Sequence, residues 1–192
     1  TLYVSRASAT VPYVNSLLSK DTSGTLGNGL SELASTSRDG RYVVFTSAAS
    51  NLVSGDTNGV TDIFMRDTTA NTTTRISVSS AGTEGNAASR YSKVSYDVKY
   101  FVFSSESTNL VESTDINSTT DVFLRDIANN TTELISVSTS GTTGNYYSGS
   151  NKGMDISRDG RFVVFASTAN TLISGDTNTI QGKRTACIVN CS

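Results

Sequence analysis

Three short stretches are apolar at every position: Tyr42-Val43-Val44-Phe45, Tyr100-Phe101-Val102-Phe103 and Phe162-Val163-Val164-Phe165. A β-branched and aromatic run of this length, without helical period, predicts a strand covered on both faces. Each is preceded by a shorter candidate strand, around Leu33–Ser37, Tyr91–Ser95 and Met154–Ser157. Asp39-Gly40 and Asp159-Gly160 lie between the two and predict tight turns, because Asp-Gly suits positive φ. The middle copy has Asp97-Val98 there, a weaker turn signal. Third strands follow at Ile63-Phe64-Met65 and Val122-Phe123-Leu124, closed by Arg66-Asp67 and Arg125-Asp126. Arg75–Ser79 and Glu133–Ser138 alternate polar with apolar, the pattern of a half-buried outer fourth strand.

The pattern repeats. Phe45, Phe103 and Phe165 mark one position, 58 and 62 residues apart, and SGTLGNGLS, AGTEGNAAS and SGTTGNYYS begin at positions 23, 81 and 140. A repeat of this length describes units that bury their faces only against neighbours. The expected fold class is all-β, built of propeller blades of four antiparallel strands, about three and a half of them. Residues 1–30 would form a partial blade, 31–88 and 89–147 complete blades, and 148–192 a partial, divergent one.

ISRDGRFVVF and SRDGRYVVF resemble the strand–turn–strand signature of TolB-type β-propeller repeats, and the pattern through NLVSGDTNGVTDIFMRD resembles repeats of secreted bacterial proteins carrying that propeller. The resemblance covers nearly the whole chain and implies the propeller fold. Propellers of this type serve as binding platforms, periplasmic assembly factors or accessory domains of hydrolases, and fold alone does not choose among them.

Composition narrows the roles. The 192 residues carry a net charge of −2 with 17% charged residues, so there is no basic field for nucleic acid. Ser and Thr account for 59 residues, a polar, weakly charged surface of the kind common in secreted β proteins. No apolar run approaches the ~18–20 residues of a membrane span. Cys187 and Cys191 are the only cysteines. A disulfide within or between chains is expected of them and fits an oxidising compartment; free thiols are the alternative.

Asp56, Asn58 and Asp62 recur as Asp115, Asn117 and Asp121, offering oxygen at positions 1, 3 and 7 of a loop, as a calcium ion wants. The spacing departs from an EF-hand, and the alternative is that these side chains bond the loop backbone as Asx-turns. The third copy keeps Asp176 and Asn178 but has Gly182 for the closing Asp. No other cofactor is expected. With no His in the chain, Ser-His-Asp and Cys-His catalysis are excluded. The prominent Asp residues recur with the repeat, whereas a catalytic carboxylate should be singular, so no catalytic residue is assigned. Five Asn-X-Ser/Thr acceptor patterns carry little weight in so Ser- and Thr-rich a chain.

The chain begins with third- and fourth-strand elements and closes with first- and second-strand ones, Thr185–Asn190 reading as a further third strand. The expectation is therefore a non-enzymatic, extracellular or cell-surface scaffold that self-assembles by completing split blades between subunits, as ring or filament. In that joint Thr1–Asp21 of one copy would lie beside Arg161–Ser167 of the next. The alternatives are a ligand- or glycan-binding propeller, calcium-dependent or not, and an accessory propeller excerpted from a larger secreted protein.

Overall fold

The computed structural model describes residues 2–5, 15–112, 117–149, 153–175 and 185–190, the strands at 3–5 and 185–190 by backbone alone. The described residues contain thirteen strands and no helix. Strands β3 (Ser31–Thr36), β4 (Tyr42–Ser47), β5 (Asp62–Asp67) and β6 (Thr72–Arg75) form one antiparallel meander in sequence order. Strands β7 (Ser89–Val94), β8 (Tyr100–Ser105), β9 (Asp121–Asp126) and β10 (Thr131–Leu134) repeat it. A third sheet holds β11 (Met154–Ile156), β12 (Phe162–Ser167) and β13 (Thr185–Asn190). Before them β1 (Tyr3–Ser5) pairs antiparallel with β2 (Asn15–Leu17).

The sheets stack face on face as consecutive propeller blades, and strand alternation says which residue faces which neighbour. Val43 and Phe45 face back onto Leu18, while Val44 faces forward into a cluster with Phe101, Phe103, Leu110 and Phe123. Val102 in turn meets Met154, Val163 and Phe165 of the third sheet. This double use of one strand is why the runs of the two complete blades are apolar throughout. Phe45 stacks on Phe64 at 6.0 Å and Phe103 on Phe123 at 5.8 Å, giving both complete blades the same centre.

The third blade breaks the pattern on one side. Phe162 and Val164 are 40% and 39% exposed, although Val44 and Val102 at the equivalent position of Val164 are fully buried. No described element covers that forward face.

Two expectations are corrected. The outer strand runs Thr72–Arg75 and Thr131–Leu134, earlier than the alternating stretches at 75–79 and 133–138. Ile76, Ser77 and Val78 are all buried: the regular ladder ends at Arg75, Ile76 and Ser77 keep single bonds to Ile63, and Ile76 packs against Phe101 and Phe103 of the second sheet. Alternation was a misleading sign where a polar residue, Ser77, had a buried partner of its own. The second correction concerns the place beside Arg161–Ser167. It is filled within the chain by β13, in register from Phe162↔Asn190 to Ser167↔Thr185. A neighbour's Thr1–Asp21 cannot pair along that same edge.

The weak turn at Asp97-Val98 forms all the same. Val98 adopts φ 61°, matching Gly40 at 71° and Gly160 at 74°. Ser95 Oγ donates to Asp97 Oδ1 at 2.8 Å and accepts from Tyr100 N at 3.1 Å, the bonds that Ser37 makes in the first copy. The side-chain scaffold of the turn outweighs the backbone preference of a β-branched residue.

Candidate functional site

Asp62 opens β5 with its side chain wholly buried. Its Oδ1 accepts from Ser77 Oγ at 2.5 Å and its Oδ2 from Asn58 Nδ2 at 2.8 Å. Asn58 Oδ1 accepts from Val60 N, which is an Asx-turn. At the end of β6, Arg75 places Nη1 2.7 Å from Glu84 Oε2, 3.4 Å from Asp62 Oδ2 and 3.5 Å from Asp56 Oδ1. Its Nη2 donates to Gly55 O at 2.9 Å. The structure thus does bring Asp56, Asn58 and Asp62 together, and the positive charge among them is a guanidinium.

Burial pushes the Asp56 carboxyl up from its ordinary value, with Arg75 opposing. Glu84 is held down to about 2, first by the Thr57 hydroxyl, then by the Thr57 amide, with Arg75 adding to both. Glu84 and Arg75 were missed by the sequence reading. The available signal was a paired difference: where the first copy has Arg75 and Glu84, the second has Leu134 and Thr143.

In the second copy Asp121 Oδ1 accepts from Ser136 Oγ at 2.6 Å and Oδ2 from Asn117 Nδ2 at 2.8 Å. Asn117 Oδ1 accepts from Thr119 N at 2.8 Å, again an Asx-turn. Asp115, Asp176, Asn178 and Gly182 lie outside the described residues, as do Cys191 and the side chain of Cys187. Among the described residues no group of three His, Cys, Asp or Glu side chains is disposed to hold a metal ion.

The Arg-Asp pairs divide between opposite faces of their strand, as alternation requires. Arg66 Nη1 donates to Asp21 O of the preceding unit at 2.9 Å and to Thr73 Oγ1 at 3.0 Å, and Nη2 to Asn71 Oδ1 at 3.1 Å. Arg125 makes the matching bonds to Ser79 O, Thr132 Oγ1 and Asn130 Oδ1. Asp67 instead takes Arg41, at 2.7 Å from Nη2, and the amides of Thr69 and Ala70. The arginine bonds to Asp21 O and Ser79 O tie each complete blade to the unit before it.

The Gly-Asn motif also has a use the sequence did not disclose. Asn28 donates to Ser50 Oγ and accepts from its amide, and Asn86 and Asn145 reach across in the same way to Thr108 and Asn170. Each pins the loop between blades to the turn after the next second strand.

The second gathering of polar groups is at the inner rim, where first strands β3, β7 and β11 lie side by side. Register shifts in β3 and β7 put Leu33 and Tyr91 at φ 54° and 55°. Strained backbone of this kind clusters at ligand sites. Beside them a cavity of about 180 Å³ is lined by Ser35, Tyr91, Ser92, Lys93 and Met154. The hydroxyls of Ser35 and Ser92 have no hydrogen-bond partner among the described residues, and Ser92 is 4% exposed. Nothing distinguishes these two serines in a chain containing 31 of them.

No protein-family model matches this chain, and no curated protein matches it. Solved structures do. TolB from Acinetobacter baumannii is similar at 17% identity and a TM-score of 0.47, over 85% of this chain and 30% of that one. Putative TolB from Agrobacterium tumefaciens is similar at 20% identity and a TM-score of 0.47, over 72% of this chain and 38% of that one. The tricorn protease matches at 12% identity and a TM-score of 0.46, over 75% of this chain and 11% of that one. The chain spans about a third of the length of the two TolB structures.

Proposed function

We propose that this chain is a non-catalytic propeller scaffold of the cell exterior that works by stacking its third blade on a second copy of itself. The observation carrying this reading is the exposed forward face of β12, with Phe162 and Val164 open where Val44 and Val102 are buried. The described blades stack forward face on rear face, so the open face calls for the rear of another blade of the same repeat. The pair β1–β2 supplies strands of the third and fourth type at the opposite end of the stack. The resulting contact is head-to-tail, and it closes as a ring or extends as a filament. The periodic acidic residues Asp39, Asp62, Asp67, Asp97, Asp121, Asp126 and Asp159, engaged in turns or links, support a structural role over catalysis. The Ser- and Thr-rich, weakly charged surface favours an extracellular setting.

Light scattering at micromolar concentration tests this. The chain should be larger than a monomer, and Val164→Lys should return it to monomer mass with an unchanged β-sheet spectrum. A monomeric wild-type chain overturns the reading.

A second reading rests on the inner-rim cavity, whose two unpartnered hydroxyls and Lys93 suit a small polar ligand. It predicts thermal stabilisation by such a ligand that Ser92→Ala abolishes.

A further inference from the structure

Arg38, Tyr96 and Arg158 hold the same place in three successive repeats, immediately before the Asp of the turn between first and second strands. Arg38 Nη1 donates to the Tyr96 hydroxyl at 2.6 Å, and its guanidinium carbon lies 5.6 Å from the ring centroid. The Arg158 guanidinium lies over the same ring at 3.8 Å. Their positions are fixed by backbone. Tyr96 N donates to Arg158 O at 3.1 Å, and Gly160 sits so close to Tyr100 that a Cβ would stand 2.2 Å from the ring.

Two guanidinium groups are thus gathered on one exposed tyrosine, and among the described residues neither has a carboxylate at ion-pair distance. The neighbouring acids are committed to their own turns. Asp39 accepts from Ser37 Oγ and Arg41 N, Asp97 from Ser95 Oγ and Lys99 N, and Asp159 from Ser157 Oγ and Arg161 N. Lys99 Nζ lies 3.1 Å from Asp97 and Arg161 Nε 3.8 Å from Asp159. The Tyr96 oxygen accepts from Arg38, so its own proton is free to be donated outward. Guanidinium groups keep several N–H donors in a planar fork suited to oxyanions.

We propose that Arg38, Tyr96 and Arg158 form a binding site for a sulfate or phosphate ester. The geometry supplies three donors and two unneutralised charges for the anionic head. A cleft of about 500 Å³ beside them is lined by Ser37, Asp39, Tyr42, Tyr96 and Asp97. Its carboxylates exclude a second anion and, with the Tyr42 hydroxyl, bond a neutral polar body, such as a sugar. The site needs only residues of this chain and is independent of what covers Phe162 and Val164.

The test is an NMR titration of arginine Nε–H signals at constant ionic strength, with sodium sulfate, sodium phosphate, glucose 6-sulfate and glucose 6-phosphate as probes. Saturable shifts at Arg38 and Arg158 are expected, absent in sodium chloride, with the esters binding at least several-fold tighter than the inorganic ions. Arg38→Gln and Arg158→Gln should each weaken binding about ten-fold or more. Tyr96→Phe should weaken it less, since the ring stack is kept. All three side chains are exposed, so a β-sheet spectrum checks that the variants fold. Shifts no different from chloride, or an affinity unchanged by Arg158→Gln, overturn the site; equal affinity for ester and inorganic ion overturns the part assigned to the cleft.

Discussion

Arg66 Nη1 lies 2.9 Å from the main-chain oxygen of Asp21, forty-five residues earlier and in the preceding unit. The arginine is 1% exposed, and burial pulls its guanidinium pKa down from the ordinary value. An ion taken this far out of water is kept only because fixed acceptors replace its hydration. Thr73 adds to the same joint, donating to Lys20 O at 2.6 Å. Blades are therefore joined by apolar faces at the centre and by directed polar bonds at the outer edge.

Removing that link should be costly. Arg66→Ala leaves Asp21 O, Thr73 Oγ1 and Asn71 Oδ1 without a shared donor and opens a cavity. A loss of about 3 kcal/mol in urea unfolding is expected, together with faster amide exchange at Thr25 and Gly27. Loss below about 1 kcal/mol would mean that the apolar faces alone hold the blades.

Arg75 is the charge centre of the first loop. Arg75→Leu, which copies Leu134, leaves Asp56, Asp62 and Glu84 without their cation and should cost about 3 kcal/mol. Millimolar calcium should then raise the melting temperature of Arg75→Leu more than that of the wild type. Equal calcium responses would show that these carboxylates do not offer a cation site even when the guanidinium is gone.

Glu84 ties stability to pH. Its folded value, about 2, lies below its ordinary 4.5, so the stabilisation is fully present above pH 4.5 and disappears as pH falls toward 2. Asp67, held low chiefly by Arg41, acts in the same direction. The urea midpoint should drop across that window, and Glu84→Gln should make the drop shallower. An unchanged profile in Glu84→Gln would assign the acid sensitivity elsewhere.

The three equivalent turns should respond differently to equivalent substitutions. Val98→Gly relieves a positive φ at the expense of some apolar contact and should stabilise by about 0.5–1 kcal/mol. Gly40→Ala meets open space and should cost only the backbone strain, about 1 kcal/mol. Gly160→Ala meets both a φ of 74° and the Tyr100 ring, and should cost clearly more than Gly40→Ala. Equal losses at the two glycines would refute the close packing of the third turn on the second blade.

The sequence by itself determined the repeat, the order of strands and, in the two complete blades, the two-sided burial of the second strand, because period-2 alternation and turn chemistry are local properties. It also determined that Arg66 and Asp67 would serve different partners, since neighbours on a strand point apart. Tertiary structure decided what those partners are. Asp21 meets Arg66 and Asn28 meets Ser50 only once blades are stacked, Glu84 meets Arg75 only once the chain folds back after β6, and none of these pairings follows from propensity. The fourth strand was misplaced for the same reason: Ser77 looks like a solvent-facing residue until the buried carboxylate of Asp62 is beside it. The sequence likewise treats Val44 and Val164 as equals. Burial is a property of neighbours, and only the stacked sheets show that one valine has them and the other does not.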